Sequence, residues 1–360
     1  MKSILCTAVA SISLALVFFL SVSGEGSEPE RSFRGEAPPG GAPPGGPPPQ
    51  GHRGGPPPHS GGRQHTATEA ETLDLVPADQ DPPAATEVDI REQGNTRAVE
   101  SNGIPDHRVG RFPNRKNPHE IQEQSYEIEI PLDPSPAEQP TFIHEREGRE
   151  FRVFGVTLDG VMLEPGTAET WMGSRESGWN YEALGGAVPL GLDANYGHVQ
   201  PGGNYHYHGL PTGLMKRLGY RSGEHSPLIG WAADGFPIYA LYGYSDPNDS
   251  SSVIEEMKTG YRLKSGQRPG GKTGPGGKYD GAFVQDYEFA GGAGALDECN
   301  GRFCVTPEYP EGTYAYFLTR EWPVVPRAFR GIPEQLKGPP AGRGHPGGGL
   351  SFGRPDRFPQ

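Results

Sequence analysis

Residues 198–210 read HVQPGGNYHYHGL, which joins a turn sequence to alternating tyrosine and histidine. In an extended strand successive side chains point to opposite faces, so His206 and His208 share one face while Tyr205 and Tyr207 share the other. Two strand rises place the two imidazoles roughly 6.5–7 Å apart at the backbone, which lets both rings reach one ion. The stretch therefore predicts a strand that carries a metal site.

The residues before this strand favour a third ligand. Pro201-Gly202-Gly203-Asn204 is a typical turn sequence, and such a turn folds His198 back towards the other two histidines. A pair of histidines at this spacing is also common where both rings bond to backbone carbonyls. Spacing alone leaves the metal site and the structural pair open.

The amino terminus has the pattern of a secretory signal. Lys2 precedes an apolar run over residues 4–20, and small residues follow at 21–24. An uncleaved anchor is the alternative, but a run of 17 residues that includes two serines is marginal for spanning a hydrocarbon core of about 30 Å. We expect a signal peptide over residues 1–23 and a secreted, periplasmic or cell-surface protein that keeps no transmembrane anchor.

Two stretches have compositions typical of disordered chain. Residues 37–62 contain 19 prolines and glycines, and residues 66–95 carry eight acidic side chains against one basic one. Such segments bury too little apolar surface to offset the entropy lost on ordering. The sequence predicts a disordered linker over residues 24–95 and a similar tail over residues 338–360.

The remaining residues, 96–337, are long enough for one large folded domain. Their apolar runs are short and separated by glycine and proline, which favours a mainly β fold, sandwich-like or irregular, with long loops and few short helices. The predicted elements are strands over 126–130 and 151–156, an Asp-Gly hairpin over 158–161, and short helices over 210–218 and 252–258.

Cys6 belongs to the signal, which leaves Cys299 and Cys304 in the exported protein. An oxidising compartment and the short spacing favour a local disulfide. The alternative is a thiolate metal pair, which lacks a second pair of cysteines.

The charge and one rejected motif limit the partners. A net charge of −13 argues against nucleic acid. Residues 266–273 match a phosphate-binding loop, but the following GPGG prevents the helix that such a loop requires, so we expect no nucleotide.

Two carboxylates are the candidate catalytic groups. Asp193 and Asn195 precede His198, and Asp234 lies in WAADGFPIY. Such acids can orient a metal-bound imidazole or act as a general base, whereas Asp-Gly and Asn-containing turns are the structural alternative. The predicted domain over residues 96–337 contains no GxSxG nucleophile motif.

Several blocks together resemble the YHYH domain family, whose motif stands at 205–208. The matching blocks are GIPDH at 103–107, FPN at 112–114, GLDAN at 191–195, DGFPIY at 234–239, LDECNGR at 296–302 and TPE at 306–308. The resemblance covers residues 100–331 and implies an exported protein with no settled reaction. His107 is a weaker candidate ligand, and Asn195, Tyr205 and Tyr207 are expected around the ligands.

The chain departs from that family at residues 312–317. Many relatives repeat a Tyr-His-Tyr-His-like strand there, whereas this chain has Ala315 and Phe317 in place of the imidazoles. If relatives build a four-histidine site from two strands, this chain has half of it. Completion then falls to His198, His107 or a carboxylate, and an incomplete set leaves positions for water or substrate.

Three functions follow, in order of preference. The first is an exported protein that binds copper or zinc through the histidines. The second is an extracellular hydrolase that uses Asp193 or Asp234 on a small molecule or an extracellular polymer. The third is a non-catalytic envelope or glycan-binding module with an aromatic surface.

Overall fold

The computed structural model describes residues 65–143, 153–292, 294 and 296–336. The described residues belong to one compact unit. The predicted signal peptide, the linker up to residue 64 and the carboxyl-terminal tail lie outside them. Within the described ranges, no helix is long and apolar enough to cross a membrane.

Short strands dominate the described residues, which confirms the mainly β prediction. The strands are β1 (Val88–Gln93), β2 (Thr96–Ser101), β3 (Tyr126–Pro131), β4 (Thr141–Phe142), β5 (Gly155–Thr157), β6 (Met162–Leu163), β7 (Gly197–Val199), β8 (Tyr205–Tyr207), β9 (Leu228–Ala232), β10 (Pro237–Tyr239), β11 (Tyr242–Tyr244), β12 (Ile254–Glu256), β13 (Tyr261–Leu263), β14 (Tyr287–Phe289), β15 (Gly301–Cys304), β16 (Thr313–Phe317) and β17 (Ala328–Phe329). One α-helix, α1 (Thr212–Arg217), and two 3₁₀ turns (Arg175–Ser177 and Val284–Asp286) complete these elements.

An open eight-stranded sheet organises the structure, in the order β15-β16-β10-β9-β5-β6-β8-β7. Its pairs are antiparallel except β6 with β8 and β10 with β16. The main hydrophobic core contains Tyr205 and Tyr207 of β8 together with Tyr314 and Tyr316 of β16. The site strand β8 therefore lies near one edge of the sheet, with one face fixed by the core.

The first three strands form a separate three-stranded sheet, in the order β1-β2-β3. In β3, Tyr126, Ile128 and Ile130 are buried while Glu127 and Glu129 are exposed. This alternation confirms the strand predicted over 126–130. The predicted hairpin over 158–161 also forms, because Gly160 adopts φ +76° between β5 and β6.

The linker prediction is wrong for residues 65–95. Strand β1 pairs with β2 along its whole length, and the preceding segment bonds to the domain through Glu71 N–Gly185 O and Val76 N–Leu192 O, both 2.9 Å. Leu73 and Leu75 pack against a buried apolar cluster. The composition of the segment did not predict this packing because its apolar side chains are few among acidic residues and prolines.

The helix predictions had mixed outcomes. Helix α1 lies inside the predicted range 210–218. Residues 252–258 instead contain β12, which pairs with β11. A strand forms there despite the local helix propensity because pairing with another strand supplies the backbone hydrogen bonds.

The predicted disulfide is absent. Cys299 and Cys304 are both free and buried, and they lie in different apolar clusters. Strand β15 runs from Gly301 to Cys304 and covers about 10 Å, so it carries Cys304 away from the turn that contains Cys299.

Candidate metal site

A hairpin brings the first histidine to the other two. Strands β7 and β8 pair antiparallel with His198 opposite His206. Between them Gly203 adopts φ +83°, and its amide donates to Gln200 O at 2.8 Å. The turn predicted at Pro201–Asn204 thus forms, and it places His198 on the same face as His206 and His208.

The three imidazoles converge through their Nε2 atoms. His208 Nε2 lies 3.1 Å from His206 Nε2 and 3.1 Å from His198 Nε2. His206 and His208 are 1% and 3% exposed, so solvent does not separate the rings. Among the described residues, these three side chains form a group whose ligand atoms all lie within 4.8 Å of one another and could hold a metal ion.

Backbone carbonyls orient two of the rings. His198 Nδ1 lies 3.0 Å from Leu190 O, and His206 Nδ1 lies 3.4 Å from Asn204 O. A carbonyl oxygen only accepts, so each Nδ1 carries the hydrogen and each Nε2 presents its lone pair to the cluster. This is the tautomer that a metal ligand needs.

Burial keeps the rings neutral. Desolvation, followed by the charge of His206, lowers the pKa of His198 to about 3. Desolvation likewise lowers the pKa of His206 to about 4 and holds the pKa of His208 well below its ordinary value. Neutral imidazoles at physiological pH are the metal-binding form.

His107, the weaker predicted ligand, is not part of this cluster. Its Nε2 lies 2.6 Å from the Tyr207 hydroxyl oxygen, and the hydroxyl donates its hydrogen to Asp159 at 2.9 Å. Tyr207 points to the face of β8 opposite the histidines, because side chains alternate along a strand. His107 and Asp159 therefore fix the back of the site strand.

Asp193 also lies on that side, as a brace between the two site strands. Its carboxylate accepts from the Tyr205 hydroxyl at 2.9 Å and from the amides of Asn195 at 2.8 Å and Gly197 at 3.2 Å. The Gly110 amide donates to it at 2.8 Å. Asp193 therefore holds the loop before β7 against β8, and these contacts include none of the three imidazoles.

Asn195 continues this brace behind the site. Its side chain accepts from the Gly213 amide at 2.9 Å and donates to Arg108 O at 2.9 Å. The predicted neighbours of the ligands, Asn195, Tyr205 and Tyr207, thus lie behind the histidines.

Asp234 lies in the other half of the sheet, at the turn between β9 and β10. It accepts from the Tyr316 hydroxyl at 2.5 Å and from the Gly331 amide at 2.8 Å. Burial raises its pKa to about 6. Its catalytic role stays a prediction, and its hydrogen bonds favour a structural role.

The four-histidine arrangement considered for relatives does not fit this sheet. Four strands separate β16 from β8, so positions 315 and 317 lie about 24 Å from the site along the sheet, at about 4.8 Å per strand. Histidines on β16 would form a separate site.

One carboxylate near the site was missed by the sequence reasoning. Parallel pairing of β6 with β8 brings Glu164 beside His208, and its amide donates to Tyr207 O at 2.9 Å. Gln200 Nε2 donates to the Glu164 carboxylate at 2.8 Å. No local pattern reveals this neighbour, because the pairing joins distant parts of the chain.

Comparison with known proteins identifies a family for this chain. A model of the YHYH protein family matches residues 127–331, a range that includes all eight strands of the large sheet and the three histidines. No curated protein and no solved structure matches the chain. Because the matched range is more than half of its 360 residues, the chain belongs to the YHYH protein family.

Proposed function

We propose that this is an exported metal-binding protein that holds one copper or zinc ion through His198, His206 and His208. The observation that carries the proposal is the convergence of the Nε2 atoms of two buried imidazoles and one partly buried imidazole, with two separations of 3.1 Å.

The separations fit a shared ion. Nitrogen ligands at 2.0–2.1 Å from a tetrahedral ion lie about 3.3–3.4 Å from one another. Without a cation, the Nε2 lone pairs of His198 and His206 would both point at the His208 ring. At most one hydrogen, on His208 Nε2, would then be available to reduce the repulsion between these lone pairs. A bound cation stabilises all three at once.

The donor set narrows the ion. Three imidazoles without a thiolate suit copper and zinc, and the usual affinity order among divalent ions favours copper. Three protein ligands leave one position for water or a substrate, where the ion would supply Lewis-acid or redox chemistry. Small molecules and extracellular polymers are the substrate classes that an exported site of this kind would meet.

Metal analysis of the full chain tests the proposal. Protein purified after export and loaded with copper or zinc should contain close to one ion per chain, and His206→Ala/His208→Ala should contain none while keeping its circular dichroism spectrum. His225→Asn is the matched control, because His225 is a partly buried histidine that bonds to Ser226 O outside the site. Equal, negligible metal in parent and double variant would show that the histidines are structural.

Export is tested separately with the same protein. The amino-terminal sequence of the exported product should begin at Gly24. Retention of Met1 in a membrane fraction would support the anchor instead.

A further inference from the structure

The large sheet has the same arrangement of strands when it is followed inward from either edge. If β7 matches β15, β8 matches β16, β6 matches β10 and β5 matches β9, the strand order of one half mirrors that of the other. The halves meet where β5 pairs antiparallel with β9, and this register is itself symmetric: Gly155 lies opposite Ala232 and Thr157 opposite Gly230.

Each half contains the same Asp-Gly hairpin. Gly160 N bonds to Thr157 O at 2.9 Å in the first half, and Gly235 N bonds to Ala232 O at 2.9 Å in the second. The aspartate before each glycine accepts from a tyrosine on the strand two positions away in the sheet. These pairs are Tyr207 with Asp159 at 2.9 Å and Tyr316 with Asp234 at 2.5 Å.

The loops before β7 and β15 also match. They read LDANYG over 192–197 and LDECNG over 296–301, and residues 196 and 300 have φ +56° and +57°. The equivalent bonds to aspartate Oδ1 are Asn195 N at 2.8 Å and Gly197 N at 3.2 Å for Asp193, and Cys299 N at 2.9 Å and Gly301 N at 3.1 Å for Asp297. The second tyrosines match as well, Tyr205 to Asp193 at 2.9 Å and Tyr314 to Asp297 at 2.8 Å.

The strand register assigns a counterpart to each proposed ligand. The matched pairs are Gly197↔Tyr207 with Gly301↔Tyr316, His198↔His206 with Arg302↔Ala315, and Val199↔Tyr205 with Phe303↔Tyr314. His208 corresponds to Phe317, since His208 N bonds to Tyr196 O and Phe317 N to Asn300 O, at 2.8 and 3.0 Å.

The counterpart of the metal site contains a cation of the chain itself. The Arg302 guanidinium lies 5.7 Å from the centre of the Phe317 ring and donates to Tyr244 O. A permanent positive charge over an aromatic face is a stable arrangement that needs no metal.

We infer that the sheet is an internal duplication and that its second half contains a second, latent transition-metal position, in which Arg302 supplies the positive charge that an ion supplies in the first half. The metal part of this inference rests on the proposed function. The equivalence of the two positions does not, because it follows from the matched hydrogen bonds and registers.

Two exchanges of side chains between the halves test the inference. The graft variant is Arg302→His/Ala315→His/Phe317→His, and the reciprocal variant is His198→Arg/His206→Ala/His208→Phe. The reference is the alanine variant, His198→Ala/His206→Ala/His208→Ala.

In full-length protein loaded with copper, the graft variant should hold two ions per chain where the parent holds one, and a graft made on His206→Ala/His208→Ala should hold one. Arg302→His alone should add no ion. A folded graft variant that still holds a single ion would overturn the latent site.

The reciprocal variant covers the case in which the graft fails to fold, because Ala315 and Phe317 are fully buried. If the positions are equivalent, the reciprocal variant binds no metal but unfolds at a higher urea concentration than the metal-free alanine variant, since its new side chains repeat a packing that the other half already uses. A lower midpoint than that of the alanine variant would overturn the equivalence. A parent chain that takes up no metal would refute the proposed function, yet this stability comparison would still decide the duplication.

Discussion

The two halves of the large sheet share one face and differ on the other. In both halves two tyrosines on the strand next to the edge donate to aspartates: Tyr205 to Asp193 and Tyr207 to Asp159, Tyr314 to Asp297 and Tyr316 to Asp234. Asp297 is partly buried and the other three are buried. On the opposite face, the first half has three converging histidines and the second has Arg302, Ala315 and Phe317. Features that both halves need belong to the fold, whereas the feature that one half alone possesses is the candidate for function.

This comparison bears on the predicted catalytic carboxylates. Asp193 and Asp234 are each the counterpart of another aspartate, and all four accept a tyrosine hydroxyl. The second half keeps these pairs without any histidine cluster. The comparison therefore favours a structural role for both carboxylates and leaves the histidines as the chemically distinctive group.

Removing the metal should produce the largest effect on the stability of the protein. If removal had no effect, metal binding would not distinguish the first half of the sheet from the second. An ion present at a thousand times its dissociation constant stabilises the folded state by about 4 kcal/mol, which raises the unfolding temperature of a domain of this size by roughly 10 °C. A chelator should reverse that increase in the parent protein, measured by scanning calorimetry. His206→Ala/His208→Ala should unfold at one temperature with or without metal. A chelator-sensitive double variant would place the ion elsewhere.

The sequence predicted features set by neighbouring residues. The turn at 201–204, the shared face of His206 and His208 and the alternation in β3 all depend on local geometry, and all were confirmed. The position of Glu164 beside His208 and the bond of His198 to Leu190 O depend on which strands and loops meet. That information lies in long-range packing, which no local pattern contains.

A pH titration of stability should give the next largest effect. Burial raises the pKa of Asp234 to about 6 in the folded protein, above its ordinary value of 3.8. Between these values the folded state keeps a proton that the unfolded state has lost, so the free energy of unfolding falls as pH rises, by up to about 3 kcal/mol. Below pH 3.8 Asp234 is protonated in both states and does not lower the free energy of unfolding. Above pH 6 it is ionised in both states, and the full decrease in the free energy of unfolding is present.

Asp234→Asn isolates this group from the other buried carboxylates. The free energy of unfolding of the variant, measured in urea from pH 3 to pH 8, should fall less steeply between pH 4 and pH 6 than that of the parent. Parallel curves would mean that the pKa of Asp234 is not raised, because the hydrogen bonds from Tyr316 and Gly331 offset the effect of burial.

Removing single hydroxyls should give a smaller effect that is similar in the two halves. Tyr207→Phe and Tyr316→Phe each leave a buried aspartate without its phenol, at a cost of about 2 kcal/mol in the free energy of unfolding of metal-free protein. Tyr279→Phe should change it by less than about 0.5 kcal/mol, because Tyr279 is only partly buried. A large loss in one half alone would contradict the shared structural role.

The smallest effect concerns the cysteines. Cys299 corresponds to Asn195, and in both loops the backbone amide at this position donates to the aspartate, a contact that does not use the thiol of Cys299. Burial raises the pKa of both thiols, which keeps them protonated and unreactive while the protein is folded. Dithiothreitol should therefore shift the unfolding temperature by less than about 1 °C, whereas reducing a disulfide across so short a loop would cost about 2 kcal/mol and several degrees. Two thiols should react with a labelling reagent in urea without prior reduction. A labelling yield near zero would show that the two cysteines form a disulfide. Strand β15 would then have to take another register.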